Sequence, residues 1–278
     1  CWVFVSSSLE ARHLSDIVFA VDALRKRGVA DKDILLFIDH PSPAPHLAPF
    51  GITNTFILAD LRARLAATAG YELVVVVATG HGGIQGLGHG TAAPVAPETV
   101  IAAVRGTPGI KVGVLVIGQC FGGVFNLVDA RKKPEIVLMG ATNLNPSLSA
   151  TVTLNVPIPQ TNGAPGLDTW LANIFLLYFF GWLRAPVDVD GDGTATLVDA
   201  YKYAGSASNE HIRKAKAALY IAARQQSTAL EQAMSTPGTA PLVLKGHQDA
   251  LQQTLDQLHL HQEPWMLHAD LARRIRFA

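Results

Sequence analysis

Two apolar runs constrain this chain more than any other feature. "LVVVVATGHGG" begins at Leu73 and "VGVLVIGQCFGG" at Val112, and neither alternates with polar residues. A strand with one wet face alternates; a strand covered on both faces reads as a continuous aliphatic run. Further runs of this kind stand at Trp2–Val5, Ile34–Ile38 and Glu135–Gly140, with helix-like stretches between them. Strands that alternate with helices predict an α/β fold, a doubly wound and mainly parallel sheet flanked by helices.

The first intervening stretch places Leu14, Ile17, Val18, Val21 and Leu24 at helical spacing, and Gly28 closes it. Leu58–Ala67 and Glu98–Val104 read as the next crossover helices. Asp39–Gly51 carries four prolines and reads as a surface loop. Ala141–Gly166, polar and containing proline, reads as a long loop near the site. Ile174–Trp182 is nine apolar residues, too short for a bilayer span, and reads as a buried helix. Ser206–Met234 and Gln248–Leu260 predict two more helices, separated by a break at Pro237–Pro241. The expected division is one α/β domain over residues 1–206 and a helical extension over 207–278 packed on it.

The chain has 278 residues, 49% of them hydrophobic and 16% charged, which suits a large buried core. Basic and acidic residues both number 22. A net charge of zero offers no electrostatic case for nucleic acid or an anionic membrane. Two cysteines, Cys1 and Cys120, exclude a disulfide framework. The first residue is Cys1 rather than Met, so a missing N-terminal region is expected, and with it a regulatory partner or segment outside this sequence. A cytoplasmic location is the expectation.

In an open parallel sheet, ligands bind beyond the carboxyl ends of the strands. His81 follows one aliphatic run and Cys120 another, each beside glycines that let the backbone turn sharply. If the two strands are neighbours, both side chains face one crevice. A thiolate is a nucleophile that a nearby imidazole or a helix start helps to form. An imidazole can then protonate a leaving amine. Backbone N–H groups of Gly82 and Cys120 are candidates to hold an oxyanion, and Gly122-Gly123-Val124 is a candidate helix start behind the sulfur. Together these predict acyl transfer through a thioester. His89, on the "GLGHG" loop, is a candidate substitute base.

The two motifs resemble those of the caspase-like cysteine peptidases, and within them the legumain-type family: an apolar strand, His-Gly, about forty residues, then an apolar strand ending in Cys and a small-residue turn. The stretch "ARHLSDIVFAVDALRKRGVADKDILLF" is similar to the segment between that family's first two strands. The resemblance covers about Trp2–Asn145. It implies a caspase-like fold and a cysteine endopeptidase acting on a polypeptide substrate, with Cys120 as nucleophile and His81 as general acid/base. It puts Arg12 and His13 at the pocket for the residue before the cut bond, with Gln119 beside them. A guanidinium pairs with Asp or Asn and repels Lys or Arg; the plainer role for Arg12 is a surface pair with Asp16 at i,i+4. The family's acidic residue two positions before the Cys is Gly118 here.

In the C-terminal half, "DVDGDGTATLVDAYKYA" looks like a loop common in bacterial caspase-like proteins. "DVDGDGTATLVD" carries acids at Asp188, Asp190, Asp192 and Asp199, with Thr194 at the seventh position. That is the spacing of a calcium loop; a cap-and-turn also accounts for it, and an acidic loop near the pocket would favour basic substrate residues, against the preference argued from Arg12. Ca²⁺ is thus a candidate ion, and the chemistry requires no cofactor.

Three alternatives stay open. "GQCFGG" also fits the nucleophile elbow of an α/β-hydrolase, which would need Asp168 or Asp199 and then His247. A pseudoenzyme serving as a calcium-responsive scaffold would leave Cys120 inert. A transamidase would share the same thioester.

Overall fold

A computed structural model of the chain describes residues 1–88, 94–128, 131–260 and 262–277. The chain order is β1 (Trp2–Ser7), α1 (Ala11–Lys26), β2 (Ile34–Ile38), α2 (Ala44–Leu47), β3 (Thr55–Phe56), α3 (Leu61–Ala66) and β4 (Leu73–Gly80). Next come β5 (Gly82–Gly83), β6 (Gly86–Leu87), α4 (Pro97–Arg105), β7 (Val112–Ile117) and β8 (Glu135–Gly140). The last elements are β9 (Ser149–Ile158), β10 (Leu167–Asn173), α5 (Ile174–Arg184), α6 (Leu197–Ser235), α7 (Pro241–His259), β11 (Trp265–Leu267) and α8 (Ala269–Ala272).

Seven strands form one sheet in the order β11-β8-β7-β4-β1-β2-β3, parallel except for β11. The aliphatic runs are buried on both faces, as their lack of alternation predicts. Trp2, Phe4, Val75, Val77, Val114 and Val116 pack on one side with α1 and α5, through Leu14, Ile17, Val21, Phe175 and Phe179. Val3, Val5, Val74, Val76, Leu115 and Ile117 pack on the other with α3 and α4, through Leu61, Leu65, Val100 and Val104. Each such side chain contributes about 1.5–3 kcal/mol on burial. α1 ends as its sequence predicts: Gly28 has φ +78, its N–H bonds Arg25 O, and the Val29 N–H reaches back to Leu24 O.

The chain builds outward from β1 through β2 to β3, then crosses back to lay β4 on the other side of β1. The order therefore reverses between β1 and β4, and that is where an open α/β sheet forms its crevice.

Three expectations change. Ala141–Gly166 is not all loop, because β9 pairs with β10 as an antiparallel ribbon outside the main sheet. Its Val152 and Ile158 reach the core while Val156 is exposed. The chain does not divide at residue 206 either. α6 runs unbroken across that point, β11 joins the main sheet antiparallel to β8, and Leu271, Ala272 and Ile275 sit in the main core. A segment that supplies an edge strand and core side chains cannot peel away as a separate unit. Lastly, α6 starts at Leu197 and α7 at Pro241, both earlier than the sequence reading. Among the described residues no helix is long and apolar enough to cross a membrane.

Candidate functional site

β4 and β7 are adjacent, with Ala78 opposite Ile117, so His81 and Cys120 leave neighbouring strand ends. Both line one cleft of about 270 Å³, together with Arg12, His13, Ser147 and Leu171. His81 keeps 40% of its side-chain surface exposed and Cys120 is partly exposed. Neither is sealed in the core.

The backbone brings the two tips together. Gly80, at φ +130, ends β4 in a conformation that L side chains rarely adopt. A Cβ on Gly82 would overlap the Cys120 carbonyl oxygen, so only glycine permits this approach. Gln119, 2% exposed, donates from Nε2 to Gly86 O at 3.2 Å. It borders the cleft, and this bond braces the β5–β6 hairpin that follows His81.

Beyond β7, the Gly118 N–H continues the ladder to Ala78 O. A side chain at Gly118 would meet Leu176 Cδ1 at 2.6 Å, so an acidic residue of the legumain kind has no room here. Phe121, directly after the nucleophile candidate, adopts φ 53, a left-handed conformation uncommon for a non-glycine residue. The turn is held by its neighbours: Phe121 N–H bonds Asn145 O, and the Ser147 N–H donates to Cys120 Sγ at 3.2 Å. The expected helix start is a six-residue 3-10 turn, Gly122–Leu127. His89 falls outside the described residues.

His81 has a partner outside both strand-tip motifs. Its Nε2 contacts Oε1 of Glu10, which lies just past the end of β1. Glu10 Oε2 accepts from Arg12 Nε, and Arg12 Nη1 donates to Ser149 Oγ at 2.9 Å. The Arg12 guanidinium, and after it His81, hold the Glu10 carboxyl down at about 2. Glu10 is therefore a carboxylate and the His81 Nε2–H is the donor. The available signal was positional: an acid immediately beyond a strand tip.

Behind this row lies a buried network. Asp16, 6% exposed, accepts from Thr79 Oγ1 at 3.0 Å, Trp170 Nε1 at 3.0 Å and the Asn173 N–H at 3.1 Å. The Asn173 side chain donates to Gly118 O and its Oδ1 caps α5 through the Leu176 N–H. Asp16 thus links the β4 tip to the turn that carries Cys120. A surface pair between Arg12 and Asp16 is ruled out by this burial. His13, 2% exposed, faces Thr79 Oγ1 through Nδ1 at 3.3 Å.

The acidic loop is built differently. Asp188, Asp190 and Asp192 bring their carboxylates within 4.8 Å of one another. Asp188 already accepts from the Gly191 and Gly193 N–H groups, and Asp192 from the Thr194 N–H. Asp190 Oδ2 is paired by Lys202 at 3.0 Å and Arg273 at 3.2 Å. Asp199 does not join them. It is fully buried, with Oδ1 on the Val189 and Asp190 N–H groups and Oδ2 on the N–H and hydroxyl of Thr196, the cap of α6. Burial pushes its carboxyl up, but these hydrogen bonds together hold it below the usual aspartate range.

No protein-family model matches the chain, and no curated protein matches it either. The cleft's lining includes none of Asp168, Asp199 and His247, the acids and base that a hydrolase elbow at Cys120 would need.

Proposed function

We propose that this protein is a cysteine endopeptidase of caspase-like architecture. One observation carries the reading: Cys120 and His81 open into the same cleft from adjacent strand ends, beside the point where strand order reverses.

On this reading His81 takes up the Cys120 thiol proton as the sulfur attacks the scissile carbonyl carbon. The oxyanion is held by N–H groups of Gly82 and Cys120. His81 delivers a proton to the departing amine, leaving a thioester. Water then adds to the thioester with His81 as base, and the acid product leaves as the sulfur is freed. Glu10 holds the imidazole by Nε2, which presents Nδ1 to the reacting atoms. Arg12, anchored on Glu10 and Ser149, lies on the cleft wall where it meets the residue before the cut bond and favours Asp or Asn there. Leu171, 42% exposed, supplies apolar surface for an extended chain. The acidic loop stands outside this chemistry; Asp188, Asp190 and Asp192 are its candidates for calcium, without Asp199.

A fluorogenic peptide panel with Asn, Asp, Arg or Lys before the cut tests the reading, run on wild type and Cys120→Ala with and without EGTA. Cleavage is expected in wild type alone, strongest for Asn or Asp. Cleavage that survives Cys120→Ala ends the mechanism.

A further inference from the structure

His13 has one nitrogen too many for a core histidine. Its ring is 2% exposed, its Nδ1 faces Thr79, and its Nε2 has no hydrogen-bond partner among the described residues. An unpaired nitrogen buried at a cleft wall is costly unless something in the cleft meets it. One ring nitrogen of His13 lies within 4.8 Å of a ring nitrogen of His81 and of a Glu10 carboxylate oxygen. The His13 and His81 rings meet edge to face with centroids 5.4 Å apart.

We infer that Glu10, His13 and His81 form a binding site for a zinc ion. Two imidazoles and one carboxylate are a donor set that zinc accepts, with the fourth position open to water or a ligand. Each outer atom that would orient such a set is already in place. Thr79 Oγ1 donates to Asp16 Oδ2 and so accepts from His13 Nδ1–H. That fixes the proton on Nδ1 and leaves the Nε2 lone pair without a partner among the described residues. Arg12 holds Glu10 by Oε2, which leaves Oε1 free to turn to the ion. Glu10 and His13 stand three residues apart at the start of α1, and His81 arrives from the β4 tip, so two elements clamp the ion.

Binding needs the His81 Nε2 lone pair: a neutral ring supplies it by moving its proton to Nδ1, and a charged ring by releasing the Nε2 proton to solvent. Ligand atoms of one tetrahedral zinc lie about 3.4 Å apart, from bonds of about 2.1 Å. Glu10 and His81, both partly exposed, supply the adjustment by side-chain rotation while His13 stays fixed. If the peptidase reading holds, the same ion occupies His81 and zinc inhibits cleavage. The site itself does not depend on that reading.

The test uses the full chain, stripped with EDTA, and zinc competed against a chromogenic zinc indicator. Wild type is expected to take one zinc tightly. Glu10→Gln and His13→Ala should each weaken it by roughly tenfold or more, and Asp16→Asn, which alters the Thr79 hydrogen bond behind His13, by about tenfold. Cys120→Ala should bind as wild type does. No tight zinc in wild type overturns the proposal. So does unchanged affinity in Glu10→Gln, an exposed position where folding is not at stake. Loss of binding in Cys120→Ala also overturns it, by placing the ion between sulfur and imidazole instead. No arm uses substrate, so failure of the peptidase mechanism is read separately, from cleavage by Cys120→Ala.

Discussion

The cleft between β4 and β7 and the loop from Asp188 to Asp199 both stand out in the sequence as carriers of chemistry, and they are opposites in construction. In the cleft, polar atoms are held from behind and left open in front. Cys120 is pinned by Ser147, His81 by Glu10, and His13 holds a nitrogen with no partner among the described residues. In the loop, the acids are largely spent on the chain: Asp199 on four hydrogen bonds, Asp188 on two backbone N–H groups, and Asp190 Oδ2 on two cations, while Asp190 Oδ1 has no partner among the described residues. A motif marks residue types, but only unspent bonding capacity marks a site.

That contrast predicts activity effects without stability effects in the cleft, and the reverse in the loop. Cys120→Ala and His81→Ala should each cost on the order of 10³-fold or more in kcat/KM with little change in Tm. Equal losses of fold and activity would break the distinction. Asp16→Ala strands the Trp170, Asn173 and Thr79 donors in the core. It should cost about 3–5 kcal/mol of stability in urea unfolding, and kcat should fall with it because the Gly118 turn loses its tie.

Asp199→Ala should cost about 2–3 kcal/mol through the lost α6 cap and buried hydrogen bonds, with KM unmoved. Its sign with pH follows from the lowered carboxyl. The stabilisation is complete above the unfolded aspartate value of 3.8 and drains away as pH falls below it. Acid unfolding profiles should therefore be flatter for Asp199→Asn than for wild type. Glu10→Gln should lower kcat/KM by about tenfold, a positioning effect of about 1.4 kcal/mol, with a smaller change in KM. The smallest effect belongs to the loop: millimolar calcium should raise Tm by about 2 °C through Asp188, Asp190 and Asp192. A calorimetric scan in which Asp192→Asn responds as wild type does would reduce the loop to a turn.

Much of the frame was legible. The aliphatic runs at Trp2, Ile34, Leu73, Val112 and Glu135 are all strands of the main sheet, because burial on two faces leaves no room for polar alternation. Gly28 closes α1 because only a residue at ease with positive φ fits there. The β9–β10 ribbon was missed because Thr and Asn on its wet face dilute the apolar signal of Val152 and Ile158. β11 was missed because three residues carry almost no periodicity and pair with a strand far back in the chain.

Local order, then, was written in the sequence: where strands and helices run, that His81 and Cys120 stand at strand ends, and that glycines surround them. These follow from steric and solvation rules that act over a few residues. Tertiary structure alone decided that β1 lies beside β4, so that Glu10 meets His81; that Asp16 is buried under Trp170 rather than paired with Arg12; and that Asp199 turns inward to cap α6. Each depends on which distant segment arrives to accept or donate a hydrogen bond, and no local pattern carries that information.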